Sequence, residues 1–136
     1  MAKQKFNPLW SDLDKINHLQ TKIIKASIAY YEHGYSFMSD TDFDDISFQL
    51  VGLQRVCKDV HLSRFWYMMY DFDGSTGFDL YNRLTEEDKE WLTWVVSREM
   101  AAHEGFYRLL SLKLSKEPEP KKVVEPVKKK KRGRLF

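Results

Sequence analysis

The chain is expected to be mostly α: a small helical domain built on an antiparallel helical hairpin, with a disordered basic C-terminal tail. Three observations predict this. Apolar residues recur at three- and four-residue steps in three long segments. Ser, Thr and Gly stand where those segments should start and stop. Past residue 114 the composition turns to Pro, Glu and Lys, so a domain over 1–114 is followed by a tail over 115–136.

Residues 1–9 are polar and end near an Asn7-Pro8 turn signal. Ser11 or Asp12 can cap a first helix whose apolar stripe is Leu13, Ile16, Leu19, Ile23 and Tyr30. His33 should close it, because Gly34 is the favoured residue just past a helix end. Ser39 caps the second helix, with Asp42 three residues on. Phe43, Ile46, Leu50, Leu53 and Cys57 then form the cleanest helical period in the chain. Asp40, Asp42, Asp44 and Asp45 crowd the first turns, where carboxylates complement the helix dipole.

The aromatic run at 61–70 fits a buried strand or a short helix, and periodicity does not separate the two over so short a stretch. A turn-rich loop follows from Asp71 to Asp79. Its acids do not match an EF-hand: counting from Asp71, Gly74 is fourth and the twelfth residue is Asn82, whereas that loop needs Gly sixth and Glu twelfth. Thr85, with Asp88 three later, opens a third long helix whose apolar side is expected to be Trp91, Leu92, Val95, Met100, Phe106, Leu109 and Leu110. It extends to about Ser115, with a possible break at Gly105.

The 136 residues support one domain, and four Trp, seven Tyr and nine Phe give a small core large buried areas. The single Cys57 forms no internal disulfide and reads as a core thiol. No apolar leader and no run of about 20 apolar residues is present, so a reducing, cytoplasmic setting without a membrane partner is expected. The net charge of +2 divides unevenly. Residues 115–136 hold nine Lys and Arg against three Glu; of 22 basic and 20 acidic residues, that leaves 13 and 17 for the body. A body near −4 and a tail near +6 point to a tail that meets an acidic partner.

Motifs for autonomous catalysis are missing. His18, His33, His61 and His103 are scattered without metal spacing, and there is no phosphate-binding glycine loop or nucleophile elbow. No catalytic residue and no metal ligand is therefore assigned.

The stretch from Tyr30 to Asp44 places a tyrosine pair at the end of one helix and a Ser-Asp-x-Asp-Phe-Asp run at the start of the next. Over residues 15–55 this resembles domain Ia of bacterial NAD-dependent DNA ligases, a small helical module that binds the nicotinamide mononucleotide half of NAD. The resemblance implies that Tyr30, Tyr31, Asp40, Phe43 and Asp44 stack on nicotinamide and hydrogen-bond the ribose. Flat rings suit a flat cation, and carboxylates accept from hydroxyls. Phe43 stands where the family has Tyr, and His33-Gly34-Tyr35 replaces its acidic, proline-containing turn. The adenylation domain and its Lys-x-Asp-Gly motif are absent, so this chain would not seal nicks alone.

In the tail, Lys128, Lys129, Lys130, Lys131, Arg132 and Arg134 form a patch of the kind that neutralises phosphates. The terminal Leu135-Phe136 resembles the ending of peptides that dock on sliding clamps. Taken together, these features predict a non-catalytic accessory protein of DNA metabolism, with a ligase-domain-Ia-like body and a tail that contacts DNA or a DNA-bound protein. One alternative is the NAD- or nicotinamide mononucleotide-binding subunit of a split ligase. Another is a protein-interaction adaptor or structural protein. An isolated module of this kind suits a bacteriophage gene.

Overall fold

A computed structural model describes the backbone of residues 5–115 and the side chains of residues 5–105. The helices run in the order α1 Asp12–His33, α2 Asp40–Val56, α3 Trp66–Met69, α4 Leu80–Arg83 and α5 Glu86–Ser115, with a 3-10 turn at Val60–Leu62. No strand occurs among the described residues, so the chain is mostly helical, as its periodicity predicts.

Local chemistry fixes the long helices. Ser11 Oγ accepts the Asp14 N–H at 3.1 Å while the Asp14 carboxylate accepts the Ser11 N–H at 3.1 Å, a reciprocal capping box. Gly34 ends α1 in the left-handed conformation (φ 66°), and the N–H groups of Gly34 and Tyr35 satisfy the carbonyls of Tyr30 and Ala29. Ser39 Oγ accepts the Asp42 N–H to open α2. Cys57 closes α2 and is half-buried, at the edge of the core rather than inside it.

Helices α1 and α2 form the base of the core, where Ile16, Leu19, Ile23, Phe43, Ile46 and Leu50 are buried. Contacts between them run in opposite chain order. Gln20, early in α1, bonds Gln54, late in α2 (2.9 Å), while Ser27 and Phe43, from the ends nearer the bend, meet over Gly77. That order is the one an antiparallel pair produces.

Gln20 is the hub of a buried amide network. Its Nε2 donates to Gln54 Oε1 (2.9 Å) and Ser63 Oγ (3.0 Å), and its Oε1 accepts the Phe65 N–H (3.0 Å). Gln54 Nε2 in turn donates to the Met69 carbonyl. Both amide hydrogens and the carbonyl oxygen of Gln20 thus have partners, where a buried donor or acceptor left unmade would cost about 1–3 kcal/mol. The network ties α1, α2 and the segment 63–69 into one unit.

The undecided run at 61–70 is the 3-10 turn and the short helix α3. Phe65, Met68 and Met69 are buried, whereas Tyr67 and Tyr70 face outward. The loop from Tyr70 to Asp79 then crosses α2. Gly74 (φ 87°) lies against Phe48 and Val51 and Gly77 against Ser27 and Phe43, so the loop travels toward the α1–α2 bend.

Helix α5 runs unbroken through Gly105. It buries Leu92 and Val96 and is tied to α1 by a 2.7 Å bond between Lys25 and Glu99. Before α1, Phe6 and Trp10 pack with His18 at ring separations of 5.3 to 6.4 Å, so this polar-looking lead carries an aromatic cluster. No helix among the described residues is long and apolar enough to cross a membrane.

Candidate functional site

The bend at 34–39 carries the residues that the sequence singles out. Tyr30 and Tyr31 close α1, both half-buried, with their rings perpendicular and 4.9 Å apart. Across the bend, Asp40 and Asp44 lie one turn apart and therefore on one side of α2; Asp40 is exposed and Asp44 half-buried.

Phe43 requires a correction. It is 0% exposed, with its ring in the core and its tip 3.3 Å from where a Cβ on Gly77 would stand. The reason is its register: Phe43 begins the stripe that continues through Ile46 and Leu50, and that stripe faces inward. Burying such a ring is worth about 1.5–3 kcal/mol. Phe43 therefore offers no face for stacking on a flat ligand.

A residue that sequence reasoning passed over stands beside the tyrosines instead. Phe78, at the far end of the loop, packs perpendicular to Tyr31 at 5.4 Å while remaining 66% exposed. Its position follows from Gly77, whose missing side chain lets the loop lie directly on Ser27. The signal available in the sequence was Gly77 itself, a small residue next to an aromatic one in a loop. The structure thus brings together Tyr30, Tyr31 and Phe78.

The loop acids have structural partners. Asp71 forms a two-pronged pair with Arg83 (2.8 and 3.1 Å), which holds its carboxyl below the ordinary range and raises the guanidinium. Asp73 accepts the Ser75 hydroxyl and N–H, and these bonds also lower its pKa. Among the described residues no group of three or more His, Cys, Asp and Glu is gathered around a point where a metal could sit.

A second constellation surrounds the start of α5. Thr85 Oγ1 accepts the Asp88 N–H (3.1 Å), but the Asp88 carboxylate does not complete the usual reciprocal cap. The Tyr67 hydroxyl is inserted instead: it accepts the Thr85 N–H (3.1 Å) and donates to Asp88 Oδ2 (2.6 Å). Arg64 binds the other oxygen at 2.6 Å and lies over the rings of Phe65 and Trp91. Burial first, then the bond to Asp88, raises the Tyr67 phenol above its ordinary 10.0. The set fastens α5 to α3, with the Tyr67 hydroxyl both donating and accepting and both Asp88 oxygens engaged. Farther along α5, the Tyr35 hydroxyl bonds His103 Nδ1, with the Phe37 ring packed against both, which ties the α1–α2 bend to α5.

The tail assignments, Lys128 to Lys131, Arg132, Arg134, Leu135 and Phe136, lie outside the described residues. Comparison with protein-family models, curated proteins and solved structures found no match to this chain.

Proposed function

We propose that this chain is a non-catalytic accessory protein of DNA metabolism, whose helical body presents a tail that contacts DNA or a DNA-bound protein. The observation that carries this reading is the division of charge, with six cations between residues 128 and 134 attached to a body of net negative charge. The body's side chains support it. Asp71, Asp73, Asp88 and Glu99 are used to hold the fold, through Arg83, Ser75, Arg64 with Tyr67, and Lys25. Contact through the tail is independent of sequence and driven by counterion release, so its affinity falls steeply with salt. Fluorescence anisotropy with duplex DNA tests it. The full chain should bind at low salt, and deleting residues 116–136 should abolish binding. Equal binding by the truncated chain would refute the assignment of DNA contact to the tail.

A second reading, a nicotinamide mononucleotide- or NAD-binding subunit of a split ligase, is favoured by Tyr30, Tyr31 and the acidic start of α2 flanking one short bend. On this reading a flat ligand takes the place of the Phe78 ring against Tyr31. Isothermal titration with both ligands, on the wild type and on Phe78→Ala, separates the two readings. Absence of heat at millimolar ligand in both proteins eliminates nucleotide binding.

A further inference from the structure

Residues 87, 91, 94, 98, 101 and 105 of α5 alternate four- and three-residue steps, the spacing of a coiled-coil seam. They lie on the side of the helix away from Leu92 and Val96, which enter the core. This outward stripe is unlike an ordinary solvated face. Trp91 is 45% and Trp94 58% exposed, on the same helix side as the exposed Arg98 and Ala101. Arg98 lies 5.0 Å over the Trp94 ring.

We propose that this stripe pairs with the same stripe of a second copy of the chain, with the two α5 helices antiparallel. The stripe is graded in two properties, and antiparallel pairing matches both. In size, Trp91 and Trp94 fill its first half, while Ala101 and Gly105 leave the second half open; a Cβ at Gly105 would meet nothing within 4 Å. A two-fold axis near residue 96 sets Trp91 of one copy against Ala101 of the other and Glu87 against Gly105, so large groups enter small sockets. In charge, Glu87 and Glu90 stand at one end and Arg98 beyond the middle. The same axis sets Arg98 of one copy against Trp94 of the other, one turn from Glu90. Parallel pairing would instead stack tryptophan on tryptophan and oppose like charges at residues 87, 90 and 98.

Sedimentation equilibrium on the full chain, without nucleic acid and at physiological salt, tests the pairing. A reversible monomer–dimer equilibrium with a Kd on the order of micromolar is expected, given the limited area of one helix pair. Trp94→Glu and Arg98→Glu should each weaken it tenfold or more while leaving the circular dichroism unchanged, because both side chains are exposed. Adding Glu90→Arg to Arg98→Glu should recover most of the loss. A chain that stays monomeric up to several hundred micromolar overturns the proposal, as does association indifferent to both single variants. Failure of the charge exchange overturns the antiparallel pairing. Saturable quenching of tryptophan by an oligothymidylate bound to a monomer would show that bases occupy the face, and would overturn it too.

Discussion

Replacing Gly77 with alanine should unseat the loop that holds Phe78 on Tyr31. An alanine Cβ there would stand 2.0 Å from Ser27 Oγ, 3.1 Å from Ser27 Cβ and 3.3 Å from Phe43 Cζ. The first distance is far inside contact, and the hydroxyl is not idle: it is buried and donates to the Ile23 carbonyl at 3.0 Å. Relief requires Ser27 to rotate, which gives up that bond, or the loop to lift, which opens the Phe43 contact. Overpacking of this kind costs about 1–3 kcal/mol, and the displaced hydroxyl adds about 1 kcal/mol. A loss of about 2–4 kcal/mol would lower Tm by roughly 10–25 °C for a domain of this size. Urea unfolding followed by circular dichroism measures it. Ser27→Ala should cost little by itself, because a mid-helix serine bonded back to its i−4 carbonyl adds little to helix stability. Combined with Gly77→Ala, it should recover at least about 1 kcal/mol, since it removes the closest contact. If Gly77→Ala costs less than about 0.5 kcal/mol, or the double variant recovers nothing, the loop is not seated on Ser27 as described. The account of Phe78 then fails with it.

Three further substitutions probe separate parts of the fold. Tyr67→Phe removes the hydroxyl inserted between Thr85 and Asp88 and should cost about 1–2 kcal/mol in urea unfolding, with faster amide exchange at the start of α5. Gly52→Ala lies inside α2 with open space around its Cβ, so the gain in helix propensity should raise stability by about 0.5–1 kcal/mol. His18 has its pKa lowered from 6.5, first by burial and then by Lys22 and Lys25. Its neutral form is the one the fold prefers, so its contribution is complete above 6.5 and is lost as pH falls through the depressed value. The urea midpoint should decline over that window, and His18→Gln should flatten the decline.

Much of the helical frame was legible because its determinants are local. Ser11, Ser39 and Thr85 cap through bonds three residues long, and Gly34 takes a conformation that few other residues adopt freely. The stripe from Phe43 to Leu50 is a matter of spacing alone, and it faces the core as the spacing requires. That same stripe conflicted with Phe43 as a ligand-stacking group, because one ring cannot both fill the core and face a ligand. The segment 60–84 was not legible: its helices are four residues or fewer, too short for a period to register.

The sequence by itself determined where the long helices begin and end and which sides of α1 and α2 turn inward, since capping and burial act over one or two turns. On α5 it placed Trp91 on the apolar side, whereas the structure buries Leu92 and Val96 and leaves Trp91 45% exposed. It also determined the opposition of an acidic body and a basic tail, which is a matter of counting. Only the tertiary structure decided what each side meets. Gln20 finds Gln54 and Ser63, Tyr67 enters the cap of α5, and Phe78 settles on Tyr31, across separations of 18 to 47 residues. Such partners are selected by the shape left when every other surface has packed, and no short-range pattern records that shape.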